Sequence, residues 1–176
     1  TDVLSRFVGA AKEYEADIVL RLTGDCVFLD PKIIDEAIQL RTATNADYVT
    51  NQWPVSFADG LDVECFTKES LFISDKEATL PLDRDCVTQF MMRNAYRFKV
   101  GSLVCPIPGL DKSRWVLDSA EDWEFCVALA SRLKHLPPSY TDILAILEKE
   151  PELQKINGHL KRNERFYDAL AVEPIQ

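Results

Sequence analysis

Acidic residues at the ends of apolar runs, and two arginines, are the features of this sequence whose spacing suggests chemistry. Asp25 follows the run Ile18–Leu22 through Thr23-Gly24, and Asp118 follows Trp115-Val116-Leu117. In an open α/β sheet, ligands bind in the crevice beyond the carboxyl ends of the strands. Two carboxylates converging there suit Mg²⁺, a hard cation whose remaining positions go to water and substrate phosphates. The same residues also have a purely structural reading, with Asp25 turning the chain beside Gly24 and Asp118 capping the next helix. A third acidic group is Asp59-Gly60-Leu61-Asp62-Val63-Glu64. Asp59-Gly60 is a turn signal, and alternation then sets Asp62 and Glu64 on one strand face, opposite Leu61, Val63 and Cys65. That face could bind sugar hydroxyls or help position a metal, or it could be the solvated side of an edge strand. Arg84 and Arg114 are candidate partners for an anionic substrate group, because a guanidinium grips carboxylate or phosphate bidentately. Each also suits a surface ion pair.

For these residues to act together, distant strand ends must meet at one edge, and the hydrophobic pattern predicts such a scaffold. Val3, Leu4, Phe7, Val8 and Ala11 recur at helical spacing behind Asp2, so residues 2–15 read as an amphipathic helix. Residues 17–22 read as a buried strand. Pro31 after Asp30 opens a second helix with the apolar face Ile33, Ile34, Ala37 and Ile38. Residues 47–50 form a short strand and residues 61–66 a half-buried one. Helices are expected over 68–78 and 86–95, and strands over 98–104 and 114–117. Asp118-Ser119 caps a helix running to about Leu133, Thr141 or Asp142 caps another that ends before Pro151, and a last helix covers 157–171. Strands alternate with helices and carry β-branched apolar runs, which is an α/β sheet with covered faces. Pro106-Ile107-Pro108-Gly109 and Pro137-Pro138 read as loops within a single domain over residues 1–176.

Composition narrows the function classes. With 47% hydrophobic and 28% charged residues, the 176-residue chain has enough apolar mass for a real core. Its 29 acidic residues outnumber 20 basic ones, and a net charge of −9 repels phosphate backbones, which argues against a nucleic-acid binder. A small phosphorylated ligand then needs a metal to bridge it to the carboxylates. No apolar run approaches the roughly 20 residues of a membrane span. Cys26, Cys65, Cys86, Cys105 and Cys126 are odd in number and contain no CxxC pair, which argues against a disulfide framework and a zinc ribbon. A reducing cytoplasm is the simplest setting, with each cysteine a small buried hydrophobe. No signal-peptide pattern opens the chain, which begins at Thr1 rather than Met, as a processed or partial chain does.

Thr23-Gly24-Asp25-Cys26 followed by Leu29-Asp30-Pro31, and then Asp47-Tyr48-Val49-Thr50-Asn51, resembles the SpsF-type spore-coat polysaccharide cytidylyltransferases. These are relatives of the acylneuraminate and deoxy-octulosonate cytidylyltransferases. Asp59-Gly60-Leu61-Asp62-Val63-Glu64 is similar to that family's substrate-side motif. Arg114-Trp115-Val116-Leu117-Asp118, with Glu121-Asp122 following, is similar to its RWTVD-x-x-ED segment, and the stretch from Asn157-Gly158-His159 to Arg162-Asn163-Glu164 matches as well. The motifs keep the family's order over nearly the whole chain. The resemblance implies a three-layer, Rossmann-like nucleotide-diphospho-sugar transferase fold. It implies transfer of CMP from CTP to a sugar acid in surface polysaccharide biosynthesis, with release of pyrophosphate. Asp25 and Asp118 match the positions that hold Mg²⁺ in relatives, and Asp59, Asp62, Glu64, Arg84 and Arg114 are then the substrate-side residues.

The resemblance also exposes departures. Family members begin with a strand and a Gly-rich, basic loop that cradles the triphosphate, whereas Thr1 falls about a third of the way into the family pattern. The expectation is an N-terminally truncated domain, incomplete or inactive as this chain alone. Where relatives carry REHVTPY, this chain has Arg84-Asp85-Cys86-Val87-Thr88-Gln89-Phe90, so Cys86 replaces a histidine and Gln89 a proline. His135 and His159 fall on helix ends and read as surface or packing residues. Two alternatives use the same scaffold: a non-catalytic sugar or nucleotide binder, and an assembly module in which an exposed sheet edge recruits a second copy as a homodimer.

Overall fold

Asp2 accepts a hydrogen bond from the Ser5 N–H at 3.0 Å and so starts helix α1 (Val3–Glu13), whose buried face is Leu4, Val8 and Ala11. The structure is a computed structural model in which residues 2–163 and residue 171 are described. Strand β1 (Ile18–Arg21) follows, and Asp30 with Pro31 opens α2 (Pro31–Thr44). One Asp30 oxygen caps α2 through the Lys32 N–H at 2.8 Å. Its other oxygen accepts from the Tyr140 N–H at 3.0 Å, which ties α2 to the distant start of α7 (Tyr140–Lys149). Strands β2 (Tyr48–Thr50) and β3 (Glu64–Thr67) lead into α3 (Lys68–Glu77), capped by Thr67. The short helices α4 (Pro81–Asp85) and α5 (Gln89–Arg93) precede β4 (Val100–Ser102). Helix α6 (Ala120–Ala130) and α8 (Gln154–Asn157) complete the elements used below.

The four strands form one sheet in the order β1-β3-β2-β4. β3 is antiparallel to both β1 and β2, and β2 is parallel to β4, so a single reversed strand sits in the middle. This reversal matters for function. The start of β3 lies beside the carboxyl ends of β1 and β2, with Glu64 opposite both Arg21 and Thr50. Side-chain alternation then divides two cores. Val49, Val63 and Cys65 pack with Ile33 of α2, Phe125 of α6 and Ile143 of α7 on one face. Tyr48 and Phe66 pack with Leu4 of α1, Leu71 of α3 and Met91 of α5 on the other. The result is the expected three-layer α/β sandwich.

Several local expectations change. The 17–22 segment is not a buried strand: β1 is an edge strand with one neighbour and only partial burial. The 61–66 segment is not half-buried, because β3 is internal and all four of its residues are buried. The single helix expected over 86–95 is two short helices. Val87, fully buried with φ +61°, breaks it in a left-handed conformation that a β-branched residue rarely takes. Residues 114–117 form no strand, since their backbone groups bond to loops instead. The Trp115 N–H donates to the Asp59 C=O at 2.7 Å, and the Leu117 N–H to the Asp25 C=O at 3.0 Å. Ser119 rather than Asp118 caps α6, and Ser139 rather than Thr141 or Asp142 caps α7, each in a reciprocal capping box. Of the helix expected over 157–171, α8 ends at Asn157, turns follow to residue 163, and the rest lies outside the described residues apart from Ala171. His135 and His159 are exposed, as expected.

The Asp59-Gly60 turn is the tightest of these joints. Gly60 has φ +101°, and a Cβ there would lie 2.7 Å from the Trp115 carbonyl carbon and the Val116 nitrogen. Both the conformation and the approach exclude a side chain. Gly60→Ala is therefore expected to cost more than about 2 kcal/mol of stability, checked by urea denaturation, whereas Gly9→Ala, where a Cβ meets nothing within 4 Å, should be neutral or stabilising.

Candidate active site

At the sheet edge where β3 begins and β1 and β2 end, a cleft of about 490 Å³ opens. Five of the carboxylates singled out from sequence line it: Asp25, Asp59, Asp62, Glu64 and Asp118. Arg84 and Arg114 do not. Arg84 is held away from the cleft by Asp2, to which it donates twice through Nε at 3.2 Å and once through Nη2 at 2.7 Å, and by Asp75 at 2.9 Å. It clasps the start of α1 to the end of α3, the ion-pair alternative. Arg114 is a buried structural hub, described below. The cleft instead presents Arg21, which sequence reasoning passed over although it stands just ahead of the Thr23-Gly24 turn.

Asp25 and Asp118 are brought together by backbone. The Leu117 N–H to Asp25 C=O bond sets the two loops side by side, and both residues line the same cleft. The Asp25 Oδ1 atom is buried and has no hydrogen-bond partner among the described residues. A buried carboxylate oxygen without a partner is costly, and a bound cation is one way to satisfy it. The Asp118 side chain is 41% exposed and lies 3.7 Å from the Arg114 guanidinium. Among the described residues no group of three or more His, Cys, Asp or Glu side chains is arranged to hold a metal. Two carboxylates fit Mg²⁺ nonetheless, because that ion is commonly held by one or two carboxylates plus phosphate oxygens.

Glu64 is the most heavily bonded group of the cleft. Its carboxylate pairs with the Arg21 guanidinium and accepts from the Tyr48 hydroxyl and the Thr88 hydroxyl, both at 2.6 Å. Burial, then the Glu64 charge, pushes the Tyr48 phenol well above its ordinary pKa, so it stays a donor. The Val87 kink carries Thr88 to this carboxylate. Cys86 lines the cleft next to it, its thiol pushed up by burial against the opposing pull of Arg21. Burial lifts Cys26 further, to about 12. All five cysteines are free thiols, and four are buried.

A second network underlies the cleft. Arg114 bonds Asp122 at 2.7 and 2.9 Å and Asp59 at 2.9 Å, while Asn157 of α8 donates to Asp122 at 2.8 Å. Burial opposes ionisation of Asp122, but the bonds from Arg114 and Asn157 win and bring its pKa to about 2. Asp59 is shifted upward by burial, only partly offset by Arg162 and Arg114. Arg162, also unforeseen, donates to Asp62 and, at 2.9 Å, to the Phe57 carbonyl. Asp62 nevertheless rises to about 7, because burial and the neighbouring charges of Asp59, Glu64 and Asp25 outweigh Arg162. Thr88 and Arg162 are linked to their carboxylates across 24 and 100 residues, and no local pattern signals such pairs.

The two shifts act oppositely on stability. Asp122 titrates lower folded than unfolded, so its contribution is complete above pH 3.8 and is lost as pH falls toward 2. Asp62 titrates higher folded than unfolded, so between pH 3.8 and about 7 the folded state holds the extra proton and stability falls as pH rises. Asp62→Asn should flatten that slope in denaturation midpoints taken across this range. Asp122→Asn, which leaves Arg114 underpaired, should cost about 3 kcal/mol at neutral pH, read by the same denaturation.

Comparison with known proteins bears on this geometry. Residues 1–99 match the cytidylyltransferase family model. An uncharacterised protein of Methanocaldococcus jannaschii is 28% identical over 162 residues, covering 92% of this chain and 65% of the relative. The spore coat polysaccharide biosynthesis protein SpsF of Bacillus subtilis is 26% identical over 153 residues, covering 85% and 62%. The solved structure of a cytidylyltransferase from Leptospira borgpetersenii serovar Hardjo-bovis superposes with a TM-score of 0.83 at 31% identity, covering 87% of this chain and 65% of that one. The chain thus spans a little under two thirds of the length of these relatives. Among the described residues no helix is long and apolar enough to cross a membrane. With its family match, its sheet and its motif order all in agreement, the chain is a member of the cytidylyltransferase family.

Proposed function

We propose that the protein transfers CMP from CTP to a sugar hydroxyl, releasing pyrophosphate, with Mg²⁺ held by Asp25 and Asp118 and a sugar acid of surface polysaccharide biosynthesis as the acceptor. The observation that carries this reading is the buried Asp25 oxygen, without a partner among the described residues, beside Asp118 in the cleft of a cytidylyltransferase-family chain. Bound there, Mg²⁺ would neutralise charge on the α-phosphate during in-line displacement. Asp59 and Asp62, pinned by Arg114 and Arg162, shape the wall beside the metal ligands. Arg21, 23% exposed at its side chain, is the cleft cation suited to an acceptor carboxylate, the role first considered for Arg84 and Arg114. Glu64, itself fixed by the Tyr48 and Thr88 hydroxyls, holds that guanidinium in place. In a chain of net charge −9, the metal would offset the repulsion between the cleft carboxylates and a nucleotide triphosphate.

A second reading, assembly through a sheet edge, is favoured by β1, which among the described residues pairs with one strand and leaves Ile18 36% and Leu22 41% exposed. Sedimentation of the protein should then show a homodimer that Ile18→Lys dissociates; a monomer at all concentrations removes this reading.

Calorimetric titration of CTP tests the first reading. Binding is expected to require Mg²⁺ and to weaken at least about tenfold in Asp25→Ala, the scale of one lost metal ligand. Binding indifferent to both the metal and Asp25 would overturn it. Pyrophosphate release with sugar acids then separates turnover from binding.

A further inference from the structure

Trp53 stands at the cleft rim on a short reversal of the chain. Gln52 and Val55 form an isolated antiparallel bridge that reverses the chain at Trp53-Pro54, just beyond the carboxyl end of β2. The Trp53 indole lines the cleft and remains 45% exposed, whereas Trp115, used for packing, is 1% exposed. An indole left half in water forgoes the stabilisation that burial would bring, and one on the wall of a polar cleft has the form of a recognition surface. Val55 and Met92 add apolar surface to the same cleft. The Asp62 and Glu64 carboxyls line it too, and a carboxylate accepts hydrogen bonds when ionised.

We propose that Trp53 is the stacking wall of an acceptor subsite, taking the apolar face of a pyranose ring while the cleft carboxylates accept hydrogen bonds from its hydroxyls. The weakly positive C–H groups of a pyranose face meet the negative face of the indole. Sugar hydroxyls both donate and accept, which suits a wall that offers carboxylates beside Arg21, Gln52 and Gln89. The position fits as well. The end of β2 lies two strand spacings from the end of β1, which leads to Asp25, and that is roughly 10 Å, the span of a sugar ring and the phosphate it attacks. The cleft volume of about 490 Å³ accommodates both groups. The subsite rests on the transferase reading only for the identity of the sugar as acceptor; ring binding itself needs no nucleotide.

The protein has tryptophans at 53, 115 and 123, so Trp123→Phe leaves Trp53 as the exposed indole beside a buried one. This variant is titrated, without nucleotide, with glucuronic acid, N-acetylneuraminic acid and glucose, and separately with cytidine, while tryptophan emission is followed. At least one sugar is expected to shift the emission saturably. Calorimetry with that sugar should show roughly tenfold weaker binding in Trp53→Ala, the scale of a lost ring stack, and near-complete rescue in Trp53→Phe. Unfolding of Trp53→Ala should match the parent, since the side chain is half exposed. No emission change with any of the sugars, undiminished sugar binding by Trp53→Ala, or a response to cytidine alone would each overturn the proposal. The result separates from the test of nucleotidyl transfer: Mg²⁺-dependent CTP binding with no sugar response removes the subsite alone, and a Trp53-dependent sugar response without CTP binding removes the transferase reading while the sugar site stands.

Discussion

The Arg114 guanidinium, 8% exposed at its side chain, is the interaction on which the cleft depends. It binds the loop before β3 through Asp59, α6 through Asp122 and the segment leading to Asp118, while Asn157 of α8 donates to the same Asp122. A buried guanidinium and carboxylate hold their geometry because neither tolerates being left without the other. Four stretches far apart in sequence thereby share one anchor. The Asp59-Gly60 turn can then press against the Trp115 backbone, and the 114–118 segment lies across two loops instead of joining the sheet. Asp118 reaches the cleft from that segment, and Asp25 is bonded to it through Leu117.

Charge in the cleft is divided between groups that are spent and groups that are available. Glu64 and Asp122 are each bonded by several donors and act as struts. Arg162 ties down Asp62, yet burial keeps that carboxyl near neutrality in its titration. The Asp25 oxygen, without a partner among the described residues, stands apart from these. A strongly acidic protein thus concentrates its carboxylates at one edge, neutralises most of them with Arg21, Arg114 and Arg162, and leaves metal-binding capacity where the strands end.

Much of the scaffold was legible from local pattern. Helical periodicity with Asp2 and Asp30 as caps located α1 and α2, and apolar runs with β-branched residues located β1 and β2. The acidic residues at run ends were also legible, because turn signals such as Gly24 and Gly60 mark where strands stop or start. The failures share a cause. Residues 114–117 have the composition of a strand but find their hydrogen bonds in loops, and the 86–95 helix is broken by a kink that serves Glu64. In both cases a distant partner overrides local preference.

What the sequence by itself determined is the family, the α/β class and the set of carboxylates, since caps, periodicity and motif order act over a few residues at a time. Only the tertiary structure decided which charges face the cleft. Arg84 and Arg114 were equal candidates by type, yet one clasps α1 to α3 and the other is buried beneath the site, while Arg21 takes the cleft position. A guanidinium goes to whichever carboxylates the fold brings within reach. That reach is set by the reversed strand β3 and by contacts spanning tens of residues, which no local spacing encodes.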